Sequence, residues 1–79
     1  AQSMARELGP EGIHVAHFVI DGAIDTQFIK ELFPDIYALK EKDGILQPEA
    51  IADAYWFVHT QHRSAWTHEL DLRPYMEKF

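Results

Sequence analysis

The chain has 79 residues, of which 47% are apolar, 25% charged and 13% aromatic, the make-up of one folded domain rather than a disordered segment. A formal net charge of −6 disfavours nucleic acid as a partner, because phosphate binding needs clustered Lys and Arg, and no apolar run approaches the roughly 20 residues of a membrane span. There is no cysteine, so disulfides and thiolate zinc sites are excluded and a chain this short has only a modest core to hold it. No signal-type segment is visible, and a cytoplasmic location is the default expectation.

In chain order, Ala1, Met4, Ala5 and Leu8 fall at the spacing of an amphipathic helix, predicted over residues 1–9. Gly9 and Pro10 supply its stop, with Gly9 expected in the left-handed position just past the helix. This helix has an end but no capped start, and we expect the chain to be the continuation of a longer protein. Residues 13–20 are nearly all apolar and rich in branched side chains, which suits a strand buried on both faces of a parallel sheet. Asp21 and Gly22 end it. Asp25 or Thr26 can then cap a helix carrying Phe28, Ile29, Leu32 and Phe33. Pro34 interrupts this helix, and a further short one is predicted from Ile36 to Lys42 before the Asp43-Gly44 turn. Pro48 opens the clearest helix, 48–61, with Glu49 at its positive end and Ile51, Ala54, Tyr55 and Val58 as its buried stripe. Trp66, His68, Leu70 and Leu72 alternate with polar residues, the period of a strand over 66–72 that Pro74 stops.

Helix, strand, helices, strand is an α/β order. Two strands joined by a long helical crossover should pair in parallel. A parallel sheet needs more than two strands and both faces covered. More of the sheet is therefore expected to lie outside these residues.

Several motifs carry a resemblance. The run from Ala1 to Val15, with Glu7-Leu8 before the Gly9-Pro10 turn and Ile13-His14-Val15 after it, resembles the segment following the catalytic Tyr-x-x-x-Lys of short-chain dehydrogenases/reductases. Asp21-Gly22-Ala23-Ile24-Asp25-Thr26 looks like the family's Pro-Gly-x-x-x-Thr loop. Gln47-Pro48-Glu49-Ala50-Ile51-Ala52 looks like its Pro-Glu-x-Ile-Ala helix start, and 66–72 takes the place of its last strand. The resemblance spans essentially the whole chain. Two places depart from it. Asp21 stands for the usual Pro, and Asp71-Leu72-Arg73-Pro74 stands for the commoner Val-Asp-Gly-Gly ending.

The resemblance implies the carboxy-terminal part of a Rossmann-like, doubly wound parallel sheet, in an oxidoreductase that interconverts an alcohol and a carbonyl with NAD or NADP. It implies no catalytic residue within this chain. The glycines at 9, 12, 22 and 44 form no phosphate-cradling cluster. The family's Tyr and Lys sit four residues apart, so that the ammonium lowers the phenol's pKa. Here Tyr37 has Glu41 at that spacing, Tyr55 has His59 and Tyr75 has Phe79. What remains, by resemblance, is a wall of the cofactor site beyond the carboxyl end of the first strand. Gly22 allows close approach to the nicotinamide, the main chain of Ile24 meets its carboxamide, and Thr26 at a helix start bonds carboxamide or pyrophosphate. An ordinary strand-to-helix turn with a capping Thr fits the same residues. Phe28 and Leu32, with Ile29 and Phe33, fall in the family's substrate lid; packing against the sheet is the alternative. The family also implies a homo-oligomer. On its own the chain is expected neither to catalyse nor to bind NAD(P) tightly.

Five histidines raise a metal question. His14 and His17 lie on opposite faces if both are in a strand. His59 and His62, with Glu69 or Asp71, have ligand types and spacing, but helix-end histidines more often complement the dipole, and no metal site is assigned. From a different class, the chain also reads as a non-catalytic association module whose open apolar sheet faces are covered by another chain.

Overall fold

The computed structural model describes residues 1–78. Six regular elements follow one another: α1 (Gln2–Leu8), β1 (His17–Ile20), α2 (Gln27–Leu32), α3 (Pro34–Tyr37), α4 (Pro48–His59) and β2 (Glu69–Leu72). The strands pair in parallel, with His17 opposite Glu69 and Ile20 opposite Leu72. A second parallel contact joins Ile24 to Leu46 within the crossover, outside the two strands. The chain is thus a small α/β unit built on a two-stranded parallel sheet, and among the described residues no helix is long and apolar enough to cross a membrane.

Both strands are shorter than their sequence patterns, and side chains explain why. The backbone N–H of Thr67 donates to Gln61 Oε1 at 3.0 Å, Gln61 Nε2 donates to the Thr67 hydroxyl at 2.8 Å, and the Trp66 indole donates to the Gln61 carbonyl at 3.3 Å. These bonds hold residues 66 and 67 to the end of α4 instead of the sheet, so β2 starts at Glu69 rather than at 66. His14 completes the diversion: its Nε2 donates to the Thr67 carbonyl at 2.7 Å and its ring stacks on Trp66, centroids 4.6 Å apart. With that carbonyl taken, the ladder begins at the next bond, from His17 N–H to the His68 carbonyl, and β1 starts at 17 rather than 13. His14 therefore lies outside the strand, and the opposite-faces argument for it and His17 does not apply.

The first helix ends at Leu8, where the Gly-Pro signal implies, but the turn that closes it differs. Gly9 is right-handed, at φ −54°, and a 3₁₀ turn runs from Gly9 to Glu11 before Gly12 takes the left-handed position at φ +84°. A residue before proline avoids the helical region mainly through its Cβ, which glycine lacks, and proline itself fits a first turn. α4 agrees with its pattern at the start and stops at His59, where the Thr60 hydroxyl folds back to the Trp56 carbonyl at 2.9 Å. After the loop, the helix predicted up to Pro34 is α2, and the short one predicted from Ile36 to Lys42 is α3 followed by a 3₁₀ turn from Ala38 to Lys42. The break falls at Phe33, whose backbone (φ −135°, ψ +63°) has left the helical region immediately before Pro34. Asp43, not Gly44, then takes the left-handed position, at φ +57°.

Burial is concentrated at one place. Ile45 and Val58 are 4% exposed and Leu46 9% exposed, and among the described residues no large side chain is completely enclosed. Of the stripe predicted on α4, Val58 is buried and Ile51 and Ala54 are half-buried. Tyr55 stays largely exposed, yet its ring stacks at 3.8 Å on Phe18, which fixes α4 against the Phe18 face of β1. The other side of α4 presents Trp56 and Phe57 to solvent.

Candidate functional site

The residues singled out by sequence lie where the carboxyl ends of both strands meet two loops. β1 ends at Ile20, and the next amide, Asp21 N–H, still donates to the Leu72 carbonyl at 2.9 Å. Gly22 follows at φ +143°, a conformation that L side chains rarely adopt. A Cβ there would stand 2.9 Å from Pro74 Cδ and 3.7 Å from Leu46 Cδ1. Glycine is required on both counts, and the close neighbour on that side is the proline ring.

Ile24 is placed by its neighbours. Leu46 N–H donates to the Ala23 carbonyl and Asp25 N–H to the Leu46 carbonyl, each at 2.8 Å. In a parallel bridge of this form the flanking residues make the bonds, so the amide and carbonyl of Ile24 itself point away from Leu46. Its main chain is left available to a ligand on that side. Asp25 anchors the same turn from outside through Lys40, whose Nζ lies 2.9 Å from Oδ2. The hydrogen bond to Asp25, then that to Tyr37, holds the Lys40 ammonium pKa above its ordinary value.

Thr26 is the N-cap of α2: its hydroxyl oxygen accepts from Ile29 N–H at 3.3 Å. This satisfies one of the orphan donors of the helix start. α2 has only six residues, so it brings little of the dipole that an anion site at Thr26 would draw on. Phe28 and Leu32 are 61% and 60% exposed. They do not pack against the sheet; Phe28 leans instead on Phe33, ring centroids 6.3 Å apart. The structure therefore brings Gly22, Ile24 and Thr26 together in one turn and leaves Phe28 and Leu32 on an open face beside it.

Two neighbours of the turn were not singled out as site residues. Arg73 reaches Asp21 Oδ2 with one terminal nitrogen at 3.1 Å, and Pro74 is buried against Gly22. The sequence holds a signal for both once the strands are known to be parallel. One step past the pair Ile20–Leu72 come Asp21 and Arg73, of opposite charge, and the next step sets Gly22 against Pro74.

At the opposite end of the sheet, Ala5, Ile13, His14, Val15, Trp66 and His68 line an open, mainly apolar cleft of about 250 Å³. His68 Nδ1 is buried without a hydrogen-bond partner among the described residues. The other histidines are engaged locally. His62 Nδ1 accepts from Ser64 N–H at 3.1 Å, His59 lies 5.6 Å from the Trp56 ring, and His17 Nδ1 is 3.3 Å from Glu69 Oε2. Among the described residues no group of three or more His, Cys, Asp or Glu side chains is arranged to hold a metal ion. Comparison with protein-family models, with curated proteins and with solved structures finds no match to this chain.

Proposed function

We propose that this chain is the carboxy-terminal part of a Rossmann-like domain in an NAD(P)-dependent short-chain oxidoreductase that interconverts an alcohol and a carbonyl. The observation that carries this reading is the parallel pairing of β1 and β2 across a helical crossover, with a glycine turn at the carboxyl end of β1 whose Ile24 main chain points away from its bridge. Ligands of open α/β sheets bind beyond the carboxyl ends of the strands. Gly22, Ile24 and Thr26 then form part of the nicotinamide-side wall, and the exposed Phe28 and Leu32 belong to a lid that an apolar substrate completes. The proton-transferring Tyr and its Lys come from elsewhere in the protein. A Tyr-x-x-x-Lys encoded within about ten residues upstream of Ala1 is the expected finding. Upstream sequence without it overturns the assignment. Calorimetric titration of the chain alone with NADH and NADPH should show no micromolar binding, and a saturable micromolar isotherm contradicts the division of labour.

A second reading, a non-catalytic association module, is favoured by a separate observation. The accessible surface of 6098 Å² exceeds the roughly 4,900 Å² expected of a compact monomer of this mass. The radius of gyration, 15.4 Å, likewise exceeds the about 12 Å of a compact chain this long. The difference in area, roughly 1,200 Å², is more than the about 800 Å² each partner contributes to a standard interface. Both readings expect a homo-oligomer or an equivalent covering chain. Sedimentation over a concentration series tests this: a well-folded monomer at every concentration counts against the module.

A further inference from the structure

Two departures from the oxidoreductase pattern stand at distant places in the sequence and meet in the fold. Asp21 replaces the family's proline, and Arg73-Pro74 replaces its closing Gly-Gly. The Arg73 guanidinium grips the Asp71 carboxylate with two bonds, Nε to Oδ1 at 3.2 Å and one terminal nitrogen to Oδ2 at 2.7 Å. Its other terminal nitrogen lies 3.1 Å from Asp21 Oδ2 and 3.4 Å from the Lys78 carbonyl. The side chain is only 16% exposed while bridging two carboxylates. The hydrogen bond to Asp71 foremost, with Asp21 and Glu77 adding to it, raises the guanidinium pKa further, so its charge is permanent. Beyond it, Pro74 fills the space over Gly22, and Met76 Sδ stands 2.9 Å from where a Cβ on Gly44 would be. Residues 73–76 form a strap that lies on both glycine turns.

We propose that Arg73 is a positioning residue that holds this strap, through Asp21, on the turn 21–26. A proline at position 21 would fix φ covalently. Aspartate leaves φ free, and the cross-strand ion pair supplies the constraint instead. The hold of the strap on the turn is then partly electrostatic, added to the backbone bonds of Asp21 and Asp25, and weakens with salt. Only its bearing on cofactor rests on the oxidoreductase reading; the coupling itself is a property of this chain.

Amide hydrogen exchange on the full chain tests it, with the α4 amides as internal reference. In Arg73→Gln, the hydrogen-bonded amides of Asp25 and Leu46 should exchange about fivefold faster relative to α4, and Asp21→Asn should speed the same two amides. The double variant should show nearly the same factor as Arg73→Gln alone, because the Asp21–Arg73 contact is already lost in it. Raising ionic strength from about 0.01 to 1 M, which shortens the screening length from about 30 to 3 Å, should loosen the same amides in the unmodified chain and not those of α4. Factors that multiply in the double variant, turn amides that merely keep pace with α4, or a turn indifferent to salt overturn the proposal. No cofactor enters these measurements, so their failure is distinct from failure of the oxidoreductase reading, which the upstream sequence decides.

Discussion

The junction at the carboxyl ends of the strands and the helical excursion from Gln27 to Lys42 are neighbours in the chain and opposites in construction. At the junction, loops 21–25 and 44–46 are tied by backbone bonds, residues 73–76 are held to them by the Arg73–Asp21 pair and the Pro74–Gly22 contact, and Leu46 and Pro74 are buried. In the excursion, each helix is held mostly by its own turns, by the Thr26 cap and by the Lys40–Asp25 pair, while Phe28, Leu32, Phe33 and Ile36 face solvent. Local stability follows the number of closed bonds and buried apolar contacts, and segments poor in both open first. The chain thus sets a firm turn beside a loosely anchored arm, an arrangement suited to a lid on a fixed wall.

The sharpest way to break this contrast is Gly22→Ala. Positive φ and a Cβ contact with a proline ring together should cost about 3 kcal/mol, read as a lowered urea midpoint. An unchanged midpoint would move the anchor away from the junction. Val58→Ala removes two methyl groups from a residue 4% exposed and should cost about 2 kcal/mol, whereas Phe28→Ala, on an open face, should stay within about 0.5 kcal/mol. Equal losses in the two variants would erase the distinction. Thr26→Ala should cost about 0.5 kcal/mol, at the low end for a cap because its bond is long and exposed, and circular dichroism should show the loss in helix signal. The smallest effect concerns pH. Because the Lys40 pKa is raised in the folded chain, its pairing contributes in full below the unfolded value of about 10.4 and is lost as pH climbs through the folded one. Melting temperature should therefore show a slight alkaline step that Lys40→Met removes, and no Lys40-dependent change between about pH 6 and 9.

What the sequence discloses about this molecule is what depends on neighbours in the chain. Pro48 and the apolar spacing after it locate α4 to within two residues, and Thr26 as a cap follows from an i to i+3 bond. The parallel arrangement is legible because the connection between two apolar stretches is long and helical. The strand limits are not legible, because they depend on competition. Gln61 and His14 remove the backbone groups of Thr67 from the ladder, and His14 acts from 53 positions away. The same applies to the candidate turn. Glycine at 22 announces an unusual backbone, but that its close neighbour is Pro74 follows only from the strand alignment.

That alignment is itself guarded. A slip of one residue would turn every side chain of a strand to the wrong face. Sliding β2 two places one way would set Asp21 opposite Asp71, like against like; two places the other way would bring Pro74, which has no amide hydrogen, opposite Ile20. Only the native setting gives His17 to Glu69 and Asp21 to Arg73. The ladder therefore reads in one frame, and each face of the ribbon carries a fixed set of side chains.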